Sequence, residues 1–292
     1  MLEFQCVVND RNLVGEMPMW CTRTNRLWWI DVRKPAMFSY DPIARERATY
    51  ALPAGQTVGS FVFREKGGMV LAMRDGFYAF DPVTGAMDFL HHPETDKPEN
   101  RLNDGKCDRR GRYWVGSMFD PRRDPLGSFY RFDPDHRCHF QFNDIVIPNA
   151  VAFSIDDKTL YFGDTTKQMI WAFDFDLDAG RISNRRVFQD LTGKPGRPDG
   201  ATVDAEGFLW NAEFAGKRIV RYAPDGRVDR IVPTPASNPT CCGFGGPNLD
   251  VLYVTTSCAR FTEDQLAAEP LSGALLAIDV GVRGVAEPLF AG

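Results

Sequence analysis

Several features that mark common classes of protein are missing from this sequence. No run of 18 apolar residues occurs, so we expect no membrane-spanning helix. The segment Met1–Cys6 has neither a basic start nor an apolar core, so we expect no signal peptide and predict a cytoplasmic protein. Lysines and arginines do not cluster with aromatic residues, and the net charge is −5. Nucleic acid and anionic membranes are therefore not expected partners.

The residues used by several kinds of reactive site are also scarce. The seven cysteines are an odd number and form no Cys-x-x-Cys motif, so we expect reduced thiols that are mostly buried as small apolar side chains. The chain has four histidines, which argues against a zinc site built on imidazoles. There is no Gly-x-Ser-x-Gly motif of a serine hydrolase.

Aromatic residues, glycine and proline are plentiful instead. The chain has 292 residues, of which 12% are aromatic and 22 are phenylalanine, and it contains 26 glycines and 20 prolines. This composition favours many short strands joined by tight turns. A closed all-β fold of this length is commonly one domain, and no linker or shift in composition divides the chain. We predict a single domain over residues 1–292.

A repeated phrase reveals the architecture. The stretch Arg197–Trp210 contains an alternating strand, a turn at Asp204–Gly207 and a second strand that opens on an apolar pair. Equivalent pairs occur six times, at Leu27-Trp28, Met69-Val70, Tyr113-Trp114, Leu160-Tyr161, Leu209-Trp210 and Leu252-Tyr253. A period of roughly 40–50 residues with several strands per unit is typical of propeller blades. The sequence therefore predicts an all-β, six-bladed β-propeller with four antiparallel strands per blade.

Strand positions within the blades follow from turn signals. The third strand ends in an aromatic-Asp-Pro phrase in three blades, where proline cannot continue the ladder. Less regular stretches predict short first strands at Lys106–Asp108 and Cys242–Phe244 and an outer strand at Arg185–Gln189. Two segments, Phe4–Val8 and Val285–Phe290, compete for the outer edge of the last blade, and either would close the ring.

The first strands of a propeller line its central channel, so equivalent positions on them form a ring. The positions 10 or 11 residues before each apolar pair are Glu16, Gly59, Asn103, Asn149, Asp199 and Cys241. Four of these six carry a side-chain oxygen. Such groups would repel or stay unsatisfied in a narrow channel, whereas a divalent cation would balance two carboxylates. Capping of the strand starts, or ordered water in the channel, is the alternative explanation.

Four motifs around these positions resemble those of the SMP-30/gluconolactonase/regucalcin family, and the resemblance covers essentially the whole chain. They are Gly15-Glu16-Met17-Pro18-Met19-Trp20, Arg101–Asp108, Pro148–Ser154 and Pro198-Asp199-Gly200. The resemblance implies a six-bladed propeller that hydrolyses sugar lactones with one divalent metal ion. It assigns Glu16, Asn149 and Asp199 as metal ligands, Asp199 also as general base, and Arg101 and Asn103 as substrate-binding residues.

The sequence departs from the family pattern after Gly116-Ser117-Met118. A lid segment with glutamate is common there, and Phe119-Asp120-Pro121-Arg122-Arg123-Asp124 stands in its place. Asp120 is the nearest acidic counterpart, which makes it a candidate substrate-binding residue. The adjacent arginines Arg122 and Arg123 would suit an anionic sugar-acid lactone, although paired arginines in a loop are also commonly just solvated.

The implied reaction is hydrolysis of a sugar lactone, a small-molecule partner, by a monomer or weak homodimer. The metal would polarise the ring carbonyl, and Asp199 would help water to attack. Either Asp199 or water on the metal would return the proton to the ring oxygen. Oxygen ligands favour Ca²⁺, while Mn²⁺, Mg²⁺, Fe²⁺ and Zn²⁺ also fit. The alternatives are an arylesterase or phosphotriesterase on the same scaffold, and a non-catalytic calcium-binding or interaction propeller.

Overall fold

Six antiparallel sheets of four strands surround a central channel. The structure is a computed structural model that describes residues 3–121 and 123–292. Within them the chain forms 24 strands and one short helix, and the innermost strands of successive sheets contact one another around the ring. The predicted all-β, six-bladed β-propeller is therefore confirmed.

Each blade runs from an innermost to an outermost strand. The innermost strands are β2 (Gly15–Cys21), β6 (Val58–Phe63), β10 (Asn100–Cys107), β14 (Pro148–Phe153), β18 (Arg197–Val203) and β22 (Pro239–Gly245). The second strands are β3 (Arg26–Asp31), β7 (Met69–Met73), β11 (Tyr113–Phe119), β15 (Thr159–Asp164), β19 (Leu209–Phe214) and β23 (Val251–Thr256). The third strands are β4 (Ala36–Asp41), β8 (Gly76–Phe80), β12 (Gly127–Phe132), β16 (Met169–Asp176), β20 (Arg218–Tyr222) and β24 (Leu275–Ile278). The outermost strands are β5 (Glu46–Ala51), β9 (Met87–His91), β13 (Cys138–Ile145), β17 (Arg181–Asp190), β21 (Val228–Pro233) and, in the sixth blade, β1 (Gln5–Val8).

Burial falls from the channel outward. Every residue of β6 is buried, whereas the outer strand β5 has no fully buried residue. The apolar core lies between blades, because both faces of a blade are covered by its neighbours. Phe77 of the second blade stacks on Phe132 of the third, with ring centroids 4.2 Å apart. Such contacts join the blades through the hydrophobic effect and aromatic packing.

The two ends of the chain have different roles. Strand β1 pairs antiparallel with β24, so the N-terminal segment, one of the two predicted candidates, closes the sixth blade. The C-terminal segment crosses the face where the innermost strands end. There the amide of Phe290 donates to the carbonyl of Phe63 at 2.8 Å, and the amide of Glu65 donates to the carbonyl of Phe290 at 2.9 Å. The C-terminal segment thus packs on the second and third blades.

Several predicted strand bounds were wrong, and irregular pairing explains the main errors. The innermost strand of the third blade starts at Asn100, not Lys106, and that of the sixth starts at Pro239, not Cys242. Register shifts in both strands break the alternation that sequence patterns depend on. The outer strand β17 is also longer than the predicted Arg185–Gln189.

One short helix, α1 (Glu263–Ala268), was not predicted. Thr262 and Gln265 form a capping box at its start, with each side chain accepting from the other residue's backbone N–H. Six residues are too few for helical periodicity to show in a sequence. The described part of the chain contains no helix with the length and hydropathy needed to cross a membrane.

Candidate active site

All six innermost strands are irregular at the position where the polar ring was predicted. The register shifts lie between Glu16 and Met19, Val58 and Ser60, Leu102 and Gly105, Asn149 and Ala152, Pro198 and Ala201, and Pro239 and Cys241. A β-bulge re-aims a side chain and releases it from regular pairing. The residues following Glu16 and Asn149, namely Met17 and Ala150, have φ of 54° and 52°. Left-handed backbone at these non-glycine residues is strained, which is common where a chain positions functional groups.

The innermost strands begin on one face of the propeller, here called the entry face. Loops before these strands, and loops after the antiparallel second strands, meet on this face. The strands approach each other closely there: a Cβ at Gly200 would clash with Cys241, and one at Gly59 would clash with the backbone of Leu102. Glycine at these two points lets neighbouring blades bring their ring residues together.

Two carboxylates converge in the channel. Burial raises the pKa of Glu16, and the charge of Asp104 raises it further. Burial likewise raises the pKa of Asp199, with further contributions from the charges of Glu16 and Asp104. The charges that act on these two groups thus come from acidic side chains on the innermost strands of the first, third and fifth blades. Ionised forms of such groups are costly without a nearby positive charge.

Asn149 is held in a fixed orientation beside these carboxylates. Its side-chain nitrogen donates to Thr165 Oγ1 at 2.7 Å, and Thr165 Oγ1 donates to the carbonyl of Pro198 at 2.7 Å. Both Asn149 and Thr165 are buried. The chain of bonds ties the fourth blade to the residue preceding Asp199. It also leaves Asn149 Oδ1 as the atom of the amide that is available to the channel.

Asn103 connects the third blade to the fourth. Its side-chain nitrogen donates to the carbonyl of Pro148 at 2.8 Å and lies 3.4 Å from Asn149 Oδ1. Its Oδ1 accepts from Arg101 Nη1 at 2.6 Å. Arg101 is buried, so its guanidinium is fixed at the edge of the ring. The structure thus places the predicted substrate residues Arg101 and Asn103 beside the predicted ligand Asn149.

Asp120 lies further out, between two arginines. Arg33 donates two hydrogen bonds to its carboxylate, at 2.8 and 2.7 Å, and Arg101 Nε lies 3.1 Å from Asp120 Oδ1. Burial alone would raise the pKa of Asp120, but the bonds from Arg33 and the charge of Arg101 lower it to about 2. Asp120 therefore holds the loop 119–127 against Arg101. The predicted arginine pair is only partly described, because Arg122 lies outside the described residues.

The sequence analysis missed one acidic residue in the channel. Asp104 is buried and accepts from the backbone N–H groups of Gly105 at 2.9 Å and Val151 at 3.0 Å. Burial raises the pKa of Asp104 to about 6, against the lowering effect of those bonds. The buried thiol of Cys241, at the counted position of the sixth blade, donates to the carbonyl of Cys242 at 3.8 Å. Asp104 follows the counted position Asn103 directly, and the bulge in β10 turns both residues toward functional positions.

Two further missed residues support the ligand strands from behind. Asp31 accepts from the backbone N–H groups of Leu13 and Val14 just before Glu16, and also from those of Arg33 and Lys34. The equivalent residue of the fourth blade, Asp164, accepts from four backbone N–H groups, of which the first two come just before Asn149: they belong to Val146, Ile147, Thr166 and Lys167. The sequence signal was an aspartate at the end of the apolar second strands β3 and β15.

The oxygen atoms brought together fit a divalent cation. The described residues contain no group of three or more His, Cys, Asp or Glu side chains arranged around a metal site. The candidate set is different in kind, since it combines the carboxylates of Glu16 and Asp199 with the amide oxygen of Asn149. Hard cations take such oxygen ligands, and two carboxylates balance their charge.

The remaining sequence predictions concern residues away from this centre. Two of the four histidines, His91 and His139, lie on outermost strands, as expected. All seven cysteines are free, and five are buried. The predicted wall position of Cys241 in the sixth blade agrees with its buried place against Gly200.

Comparison with known proteins agrees with this geometry. Residues 14–258 match the model of the SMP-30/Gluconolactonase/LRE-like region. The chain is 36% identical to 6-deoxy-6-sulfogluconolactonase of Pseudomonas putida over 289 residues, which cover 99% of this chain and 98% of that protein. It is 35% identical to regucalcin of Xenopus laevis over 298 residues, which cover 100% and 99%.

A solved structure gives the same result. The chain superimposes on the calcium-binding protein regucalcin from Agrobacterium tumefaciens with a TM-score of 0.94 and 29% identity, covering 99% of this chain and 97% of that one. The family match spans most of the chain, and the similar proteins align along their whole length. The chain therefore belongs to the SMP-30/gluconolactonase/LRE-like family.

Proposed function

We propose that this protein is a metal-dependent hydrolase that opens a sugar lactone to the sugar acid. One observation carries the proposal: the partly buried carboxylate of Glu16 and the buried carboxylate of Asp199 face one channel with Asn149, beside the fixed pair Arg101 and Asn103. A purely structural ion would need only oxygen ligands. Arg101, at the edge of the proposed metal site, would in addition bind the hydroxyl groups of a polyol substrate. Family membership and the similarity to a protein named as a sulfogluconolactonase support the same activity.

The proposed ligands are Glu16, Asn149 and Asp199, which would hold one divalent cation. Their oxygen atoms favour Ca²⁺, while Mn²⁺, Mg²⁺, Fe²⁺ and Zn²⁺ are alternatives. The similarity to a structure described as a calcium-binding protein supports calcium. The raised pKa values of Glu16 and Asp199 fit this role, since a bound cation would favour their ionised forms.

The bound cation would supply Lewis-acid polarisation of the lactone carbonyl. Asp199 would accept a proton from the attacking water, since its buried carboxylate faces the channel at the proposed metal site. Water adds to the ring carbonyl carbon, the bond from that carbon to the ring oxygen breaks, and the ring oxygen receives the proton. The product is the open-chain sugar acid.

The other predicted residues orient the substrate. Arg101 is held by Asn103 and Asp120, so its guanidinium has a fixed position at the edge of the proposed site. We assign Arg101 and Asn103 to the hydroxyl groups of the sugar, and Asp120 to the same region through its control of Arg101. Fixed donors of this kind reduce the entropy lost on reaching the reactive geometry.

Three broader predictions accompany this function. The chain would act as a single propeller domain over residues 1–292, as a monomer or weak homodimer. Its partner would be a small sugar lactone, with no nucleic acid or membrane involved. Its location would be the cytoplasm. Size-exclusion chromatography with light scattering tests the oligomeric state directly.

A non-catalytic calcium-binding propeller is the second candidate, and the described similarity to regucalcin favours it over an arylesterase. The lactonase and the calcium-binding propeller would use the same three metal ligands. They differ in whether the metal-loaded protein hydrolyses a lactone, so one experiment separates them.

The test is proton release from a panel of five- and six-carbon aldonolactones. Metal-stripped protein is compared with protein reloaded with Ca²⁺, Mn²⁺ or Zn²⁺, alongside Asp199→Asn. Asp225→Asn is the matched control, because Asp225 is an exposed residue in a turn on the opposite face of the same blade. We expect metal-dependent hydrolysis that Asp199→Asn lowers by at least about 100-fold and that Asp225→Asn leaves intact. Metal binding without hydrolysis of any lactone would reject the enzyme and support the calcium-binding reading.

A further inference from the structure

Arginines from five separate segments lie on the entry face, where the strands that hold the proposed site begin. Arg33 follows β3, Arg101 lies in β10, Arg197 begins β18, and Arg123 and Arg260 lie in the loops after β11 and β23. Each segment either starts an innermost strand or follows a second strand, which is why all five residues belong to the same face. The sequence separates them by up to 227 residues, from 33 to 260, so only the ring brings them together.

The five guanidiniums are not balanced by carboxylates. Arg33 and Arg101 share the carboxylate of Asp120. The side chains of Arg123, Arg197 and Arg260 make no ion pair or hydrogen bond to the described residues, and all three are exposed. Glu16 and Asp199 would be occupied by the proposed cation. The entry face therefore keeps an excess of positive charge directly above the site.

The loops that carry Arg123 and Arg260 and the start of β18 at Arg197 share the entry face, and the charges on these arginines act on one another. Partial burial lowers the pKa of Arg123, and the positive charges of Arg260, Arg33 and Arg197 lower it further, against the opposing charge of Asp120. Gathering like charges costs free energy unless a ligand repays it. A terminal sulfonate, phosphate or carboxylate is the class of group that several guanidiniums bind well.

We propose that the preferred substrate is a lactone with an anionic group at the end of the sugar remote from the carbonyl, bound by Arg123, Arg197 and Arg260. This inference rests on the proposed lactonase function. The carbonyl must lie at Asp199 in the channel. In a six-membered aldonolactone the exocyclic carbon is carried by C5, which is joined to the carbonyl carbon through the ring oxygen, so a substituent on the exocyclic carbon projects outside the ring. Because the sugar enters from the entry face, that substituent can extend toward the face on which the three arginines lie.

The first arm of the test compares substrates on the metal-loaded protein. Glucono-1,5-lactone is the neutral probe, and its analogues with a 6-phosphate, a 6-sulfonate or a 6-carboxylate are the anionic probes. We expect kcat/KM to be about 10- to 100-fold higher for at least one anionic probe, mainly through KM, since each charge-assisted bond contributes to ground-state and transition-state binding alike. Comparison of the three anions identifies which head group the site takes. This preference should shrink as salt rises from 0.05 to about 0.5 M, because ions screen exposed charges.

The second arm changes the arginines one at a time, as Arg123→Gln, Arg197→Gln and Arg260→Gln. The measured quantity is the ratio of kcat/KM for the anionic and neutral probes, which cancels any general effect on the fold. We expect each substitution to lower this ratio about three- to tenfold. Arg227→Gln is the control, because Arg227 is exposed on the opposite face of the fifth blade and should leave the ratio unchanged.

The outcomes separate the two proposals. Hydrolysis of the neutral lactone with no preference for any anionic analogue would overturn the anionic subsite and leave the lactonase standing. A preference that survives all three substitutions would also overturn it. Failure to hydrolyse any lactone with any of the metals would overturn the proposed function and this inference with it.

Discussion

Asn149 Nδ2 donates to Thr165 Oγ1 at 2.7 Å, and this bond determines which atom of the Asn149 amide faces the channel. Thr165 in turn donates its single hydroxyl proton to the carbonyl of Pro198, so its oxygen can only accept from Asn149. An amide rotated by 180° would present its NH₂ group to the proposed cation. The threonine therefore acts as a positioning residue for a ligand on its own blade and for the start of the next innermost strand.

Replacing Thr165 by valine tests this relationship. Thr165→Val keeps the shape of the side chain but removes the acceptor for Asn149 and the donor for Pro198. We expect the affinity for Ca²⁺ or Mn²⁺ to fall about 10- to 100-fold, as measured by isothermal titration calorimetry. Thr166→Val is the control, because Thr166 is the exposed neighbour and only its backbone N–H is bonded. An unchanged affinity in Thr165→Val would refute the positioning role.

The two facing carboxylates predict that Glu16→Gln changes the stability of the metal-free protein and its response to metal in different ways. Glu16→Gln removes one of two negative charges that repel in a buried channel. We expect the metal-free variant to be more stable than metal-free wild type at pH 8 by about 1–2 kcal/mol. Addition of metal should then raise the melting temperature of wild type but not of the variant, since ligand binding stabilises only a protein that can bind it.

Differential scanning fluorimetry with and without chelator measures both effects. Glu46→Gln serves as the control, because Glu46 is exposed on the outer strand β5. A metal-free Glu16→Gln protein that is less stable than wild type would mean that Glu16 is paired by a group other than the proposed cation.

The ion pair of Asp120 predicts a dependence on acid pH. Hydrogen bonds from Arg33 and the charge of Arg101 outweigh burial and hold the folded pKa of Asp120 near 2, below the unfolded value of about 3.9. The resulting stability is present above pH 4 and is lost as the pH falls toward 2. Asp120→Asn should therefore cost on the order of 1–2 kcal/mol at pH 7, allowing for screening at the partly exposed Arg33. The cost should shrink between about pH 4 and pH 2.

Urea unfolding at pH 7, 4 and 3 measures this change. Asp124→Asn is a matched control within the same loop, because Asp124 is exposed and makes no ion pair with the described residues. A constant difference between Asp120→Asn and wild type at all three pH values would contradict the prediction.

A substitution in the C-terminal segment should lower the stability of the protein without changing the proposed metal site. Phe290 is completely buried and stacks on Phe132, with ring centroids 5.4 Å apart, on the face opposite the proposed metal. Phe290→Ala should lower the free energy of unfolding by about 2–4 kcal/mol while leaving metal affinity within a factor of two. Phe140→Ala, at an exposed phenylalanine, should cost much less. A large loss of metal affinity in Phe290→Ala would show that the two faces are coupled.

Much of the site was readable in the sequence because the fold repeats. Counting back from the apolar pairs gives Glu16, Asn149 and Asp199 among the six ring positions, and the structure brings these residues to one channel. Counting could not identify Asp104, since it follows the counted position by one residue. In a regular strand that residue would face the other way, and only the bulge in β10 brings it inward.

The sequence by itself determined the number of blades, the order of the strands and the types of residue that surround the channel, because these depend on short-range periodicity and turn residues. Only the tertiary structure decided that β1 rather than the C-terminal segment closes the ring, since both are apolar and the choice depends on geometry across the whole chain. It also decided that Arg123, Arg197 and Arg260 lie on the face where the strands of the proposed site begin. That shared face arises from the closed ring, which no local pattern in the sequence encodes.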